Sequence, residues 1–136
     1  MAIPTVTIEL TQDTEVRTVL AYEEGVRAEN VPMNTERVVR DYFKDIPVMA
    51  RVAWCESRFV QVNPATGRVI RGIVNPNDVG VMQINETYHS SAARAMGFDL
   101  YTLKGNMAYA RTLYEREGTQ PWNASRACWQ EVLALR

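Results

Sequence analysis

Between residues 34 and 129 the apolar side chains recur at helical spacing on either side of a break that starts with the stretch Val60 to Val74. That interruption limits what the chain can fold into. Before it, Val38, Val39, Tyr42, Phe43 and Ile46 make one apolar stripe behind a cap at Asn34 or Thr35. Asp45 and Pro47 mark a second start, because proline is tolerated in a first helical turn. That helix is expected to reach about Phe59, with Met49, Val52 and Phe59 on one side.

Within the interruption, Val60-Gln61-Val62 reads as extended and Asn63-Pro64-Ala65-Thr66-Gly67 as a turn. Arg68 to Val74 reads as a second β-rich segment, so a small hairpin between helices is the simplest arrangement. Helical spacing returns at Thr87 to Met96, which Gly97 stops, and at Asn106 to Glu117, which Gly118 stops. Pro121 is expected to open a last helix carrying Trp122, Ser125, Trp129 and Val132. The expected class is therefore mainly α (α+β), a helical domain with a small β-hairpin insertion. Residues 1–33 read as a lead of uncertain structure, with a short strand over Val6 to Leu10 and helical spacing from Glu15 to Glu29. Residues 34–136 are the expected domain.

Composition narrows the classes of function. The 46% of apolar residues is enough for a real core. A net charge of -1, from 15 basic and 16 acidic side chains, leaves no basic footprint for nucleic acid. No apolar run approaches the roughly 18 residues of a membrane span. Met1 to Leu10 has neither the basic nor the apolar region of a signal peptide, so the signal of an exported protein would lie outside this sequence. Cys55 and Cys128 read either as small core residues or as one disulfide across a long loop. With a single histidine, His89, and two scattered cysteines, no metal-ligand spacing exists and no cofactor is expected. His89 reads as a surface or capping residue.

Glu56 is the most informative residue. Val52, Met49 and Phe59 share its helical face, and a carboxylate at the end of an apolar stripe is partly desolvated. Desolvation raises its pKa, and an acid that stays protonated near neutral pH can protonate a leaving oxygen. On the local pattern alone, a solvated glutamate near a helix end is the plainer reading. The segment Asp78-Val79-Gly80-Val81-Met82-Gln83-Ile84-Asn85 is the second feature. Gly80 suggests a close approach of backbone or ligand, while Gln83 and Asn85 offer donors and acceptors that suit sugar hydroxyls. A strand with two ordinary polar residues is the alternative.

Together, Cys55-Glu56-Ser57-Arg58-Phe59, a hairpin-sized gap and Gly80-Val81-Met82-Gln83-Ile84-Asn85 resemble the lysozyme and lytic transglycosylase superfamily. Its transglycosylase members carry an E-S-x-F helix end followed by a G-L-M-Q-I segment. Asp78-x-Gly80-x-x-Gln83-Ile84-Asn85 is also similar to the segment of c-type lysozymes that holds their second carboxylate. The resemblance covers about residues 35 to 129. It implies a lysozyme-like fold and cleavage of the β-1,4 bond between N-acetylmuramic acid and N-acetylglucosamine in peptidoglycan, by an extracytoplasmic monomer. Glu56 matches the catalytic acid, Asp78 the second carboxylate, and Gln83 and Asn85 positions lining the glycan cleft.

Ser57, Tyr88 and Trp122 are further candidates for contact with the glycan, although packing is the plainer reading for Tyr88, Tyr101, Tyr109 and Tyr114. The same holds for any one of Trp54, Trp122 and Trp129. Ser57 lacks the context of a nucleophile. The chain departs from many transglycosylases in lacking an A-Y-N segment, whose region is held by Trp122 to Trp129. A bridge from Cys55 to Cys128 would resemble one of those in c-type lysozymes. The spellings E-S-R-F and G-V-M-Q favour a transglycosylase, Asp78 keeps a hydrolytic lysozyme close, and a non-catalytic glycan-binding module is the rival class.

Overall fold

The computed structural model describes residues 32–134. The expected strand over Val6 to Leu10 and the helical spacing of Glu15 to Glu29 lie outside the described residues. Among the described residues there are five α-helices: α1 (Pro32–Tyr42), α2 (Pro47–Ser57), α3 (Glu86–Ala95), α4 (Leu103–Glu117) and α5 (Arg126–Ala134). Two short strands, β1 (Asp78–Val79) and β2 (Ile84–Asn85), form an antiparallel pair, and a 3-10 helix (Gln120–Ser125) leads into α5. The class is mainly α with a small β insertion, as the periodicity predicts.

The apolar stripes meet in one core. Val39 of α1, Phe43 just past its end, Met49 and Val52 of α2, Met107 and Leu113 of α4, with Trp122 and Trp129, are buried together. Full burial of such a side chain stabilises by roughly 1.5–3 kcal/mol, against about 1 kcal/mol net for a backbone hydrogen bond. Helix packing therefore holds the domain, and the sheet of two residue pairs is carried by it. Helix α2 packs against α1, α5 and the 3-10 helix.

Local chemistry sets most helix ends. Pro47 occupies the first turn of α2. Oδ1 of Asn85 accepts the Tyr88 N–H at 3.1 Å and caps α3, and Oγ1 of Thr102 accepts the Gly105 N–H at 3.0 Å and caps α4. Gly97 and Gly118 follow α3 and α4 with positive φ.

Four expectations need correction. Helix α1 is already helical at Pro32, so Asn34 and Thr35 lie inside its first turn rather than capping it. Helix α2 stops at Ser57, not Phe59. Arg58 and Phe59 take left-handed φ values of 57° and 63°, and this reversal carries the buried Phe59 ring back onto the core. The hairpin expected over Val60 to Val74 is shorter than the sequence reads. The bridge Val62–Val69, with the Asn63 N–H donating to the Arg68 carbonyl at 2.8 Å and the Ile70 N–H to the Gln61 carbonyl at 3.0 Å, closes the Asn63 to Gly67 turn, Arg71 then bridges to Val79, and Ile73 and Val74 are fully exposed. Their β propensity finds no partner strand to satisfy it. The last helix is broken: Trp122, with φ −109° and ψ 21°, kinks the 3-10 turn before α5 begins at Arg126.

Candidate active site

Glu56 is the penultimate residue of α2, and its half-buried side chain lines a cavity of about 250 Å³. Asp78, Gln83, Asn85, His89, Glu117 and Trp122 line the same cavity. Larger hollows, of about 480 Å³ beside Arg94 and Phe98 and about 730 Å³ beside Asn63 and Arg68, contain neither Glu56 nor Asp78.

Burial raises the pKa of Glu56 above the ordinary carboxylate range. A hydrogen bond from Ser125, whose Oγ donates to Oε2 at 2.6 Å, opposes that rise, and the nearby charge of Asp78 adds to it. Asp78 is also raised by burial, against a hydrogen bond from Asn85. The site thus holds two interacting carboxyl groups, each with its pKa raised by burial. A raised pKa is the direction that proton donation by a carboxylic acid requires.

The segment from Asp78 to Asn85 is held from beneath by two buried amides. Oε1 of Gln61 accepts the Val81 N–H at 2.8 Å, and Oδ1 of Asn106 accepts the Met82 N–H at 2.9 Å. Nδ2 of Asn106 donates to the carbonyls of Val79 and Leu100, and Nε2 of Gln61 donates to Leu100. Gly80, at φ +78°, is where these amides come closest. A Cβ there would lie 2.3 Å from Nδ2 of Asn106 and 2.8 Å from Oε1 of Gln61. The close approach expected at Gly80 is thus to side-chain amides of the core.

Ser57 stands outside the cavity lining and acts as a latch. Its hydroxyl donates to the Val81 carbonyl at 2.7 Å and so joins the end of α2 to the Gly80 to Asn85 segment. Gln83 has φ 52° and donates from Nε2 to the Gly80 carbonyl at 3.0 Å. Trp122 is 2% exposed, and its indole N–H is taken by the Met82 carbonyl at 2.8 Å, so it forms wall rather than an open stacking face. Tyr88 is 81% exposed and does not line the cavity. Trp54 is exposed, and the Arg58 guanidinium lies over its ring.

Cys55 and Cys128 form a disulfide with Cα atoms 6.0 Å apart, within the range such a bond requires. It joins α2 to α5 beside the Glu56–Ser125 contact. His89, read from the sequence as a surface or capping residue, instead lines the cavity. Its Nδ1 is 2.9 Å from Oη of the buried Tyr109, and burial lowers its pKa. His89 and Glu117, which line the cavity, and Ser125, which donates to Glu56 beside it, are the groups that sequence reasoning missed. A proline-started helix gave no sign that Ser125 sits at a joint, and a lone histidine carries no spacing signal. Among the described residues no group of three His, Cys, Asp or Glu side chains is arranged to hold a metal ion, and no helix is long and apolar enough to cross a membrane. No protein-family model, curated protein or solved structure matches the chain.

Proposed function

We propose that the protein is a lytic transglycosylase that cleaves the β-1,4 bond between N-acetylmuramic acid and N-acetylglucosamine in peptidoglycan, with Glu56 as general acid and base. One observation carries the reading: Glu56 is a desolvated acid with a raised pKa, aimed into a cavity whose other polar groups include Asp78, Gln83 and Asn85. The double motif around Glu56 and Gly80 supports it, as does the latch from Ser57 to Val81 that joins the two motifs in space.

In this scheme the protonated Glu56 gives its proton to the glycosidic oxygen as the bond from C1 to that oxygen breaks. The electron pair leaves with the oxygen. The resulting carboxylate then takes the proton of the muramyl 6-hydroxyl while O6 bonds to C1. The product is a 1,6-anhydro end, no water is consumed, and Glu56 regains its starting state. A positioned general acid of this kind contributes on the order of 10²–10⁴-fold to rate.

A second reading has its own support. Asp78 lies in the same cavity, close enough for its charge to act on Glu56. A two-carboxylate hydrolase would use Glu56 as acid and Asp78 as nucleophile or cation stabiliser, with water completing the reaction. Digestion of purified peptidoglycan, followed by mass analysis of the fragments, separates the two. Anhydro ends are expected, reducing ends would establish the hydrolase, and no release of fragments would overturn both.

A further inference from the structure

The Ser125 hydroxyl has one hydrogen and two acceptors within reach, Oε2 of Glu56 at 2.6 Å and the Trp122 carbonyl at 3.2 Å. The shorter contact lies in the range of a charge-assisted O–H to carboxylate bond. Among the described residues Oε1 of Glu56 makes no hydrogen bond, although the side chain lines the cavity. The two oxygens of this carboxyl group are therefore not equivalent: Oε2 is held by Ser125, and Oε1 is left without a hydrogen bond among the described residues in a side chain that lines the cavity.

We propose that Ser125 is a positioning residue that fixes Oε1 of Glu56 as the oxygen that gives and takes back the proton, an inference that rests on the glycan-cleaving role of Glu56. While the acid is protonated, Ser125 donates to Oε2 and leaves the hydrogen on Oε1, where a bound glycosidic oxygen can receive it. As that proton leaves, negative charge grows on the carboxylate and the same Ser125 bond strengthens without moving. Preorganised donors aimed at developing charge act in this way. Oε1 then accepts the proton of the sugar hydroxyl, and the Ser125 bond returns to its starting strength. Ser125 is the last residue of the 3-10 helix, which is kinked within at Trp122, and it stands directly before α5 at the joint between the two. The Cys55–Cys128 disulfide joins the residues next to this contact, one before Glu56 and one three after Ser125.

The test uses the full chain with Ser125→Ala and Ser125→Thr, read in two ways. The first is the titration of the Glu56 carboxyl carbon by NMR, which needs no substrate. The second is the pH profile of peptidoglycan cleavage, with kcat and KM separated. Loss of the donor in Ser125→Ala should move the Glu56 midpoint upward and lower kcat by roughly 10–100-fold, with KM little changed. Ser125→Thr, which keeps the hydroxyl, should restore both. An unmoved midpoint in Ser125→Ala overturns the proposal, as does a loss of kcat that threonine does not rescue. If the wild-type chain releases no fragments from peptidoglycan, the glycan-cleaving reading fails. In that event an upward midpoint still establishes the Ser125 bond, and the catalytic role given to it here is withdrawn.

Discussion

Asp78 and Asn85 face each other across the two-strand ladder, and Nδ2 of Asn85 donates to Oδ1 of Asp78 at 3.2 Å. The same Asn85 side chain uses Oδ1 to cap α3. Asp78 is thus tied to the start of α3, with its carboxylate in the Glu56 cavity.

That tie leads to a prediction about Asp78→Asn. If Glu56 works alone, the variant should lose activity only modestly and still release anhydro ends. An essential nucleophile at Asp78 would instead show as a rate loss of several orders of magnitude and reducing ends in the wild type. Kinetics on purified glycan strands, with product masses, check this. Anhydro products combined with a dead Asp78→Asn variant would contradict both mechanisms as written.

Much of the fold was legible because it follows local periodicity. The stripes Val39–Phe43 and Met49–Val52 announce helices whose buried faces the structure confirms, and Gly97 and Gly118 end helices where expected. The cavity was half legible. Glu56 and the Asp78 to Asn85 segment stand out because their chemistry is written in adjacent residues. Ser125 does not, because its partner is 69 residues away and it ends a kinked 3-10 helix where the sequence pattern reads one continuous helix. Gln61 and Asn106 escaped notice for the same reason: a buried amide is defined by the distant backbone it satisfies, not by its neighbours in sequence. Ile73 and Val74 misled in the opposite sense, since β-branched side chains mark a strand only when a partner is present.

The disulfide ties α5 to α2, and neither cysteine lines the cavity. Its 73-residue separation predicts a loop-closure contribution of about 4 kcal/mol on the chain-entropy account. A Cys55→Ala, Cys128→Ala double variant should therefore melt at a lower temperature yet cleave glycan at the wild-type rate in the cold. Calorimetry and a low-temperature digestion check the two halves. Loss of cold activity at full helical content would show that the bridge sets the site geometry and does not merely stabilise it.

The raised pKa of Glu56 makes stability depend on pH. Below its ordinary value of 4.5 the side chain is protonated both folded and unfolded, and burial costs no charge. Between 4.5 and the raised folded value, the folded state holds the proton more tightly. The contribution present at low pH is lost as pH rises through that window. Glu56→Gln carries no charge at any pH. In urea unfolding it should gain stability relative to the wild type at about pH 8, and this gain should vanish at about pH 4. The same difference at both pH values would contradict the desolvation account of this carboxyl group.

The central claim is that Glu56 supplies the proton that breaks the glycan strand. Its most direct test is digestion of purified peptidoglycan by wild type and Glu56→Gln side by side, with fragments identified by mass. The amide keeps the shape of the side chain and can still accept from Ser125, but it cannot donate an acidic proton. The account predicts 1,6-anhydro fragments from the wild type and a rate reduced on the order of 10²–10⁴-fold in the folded variant. Fragment release by Glu56→Gln at the wild-type rate would contradict it.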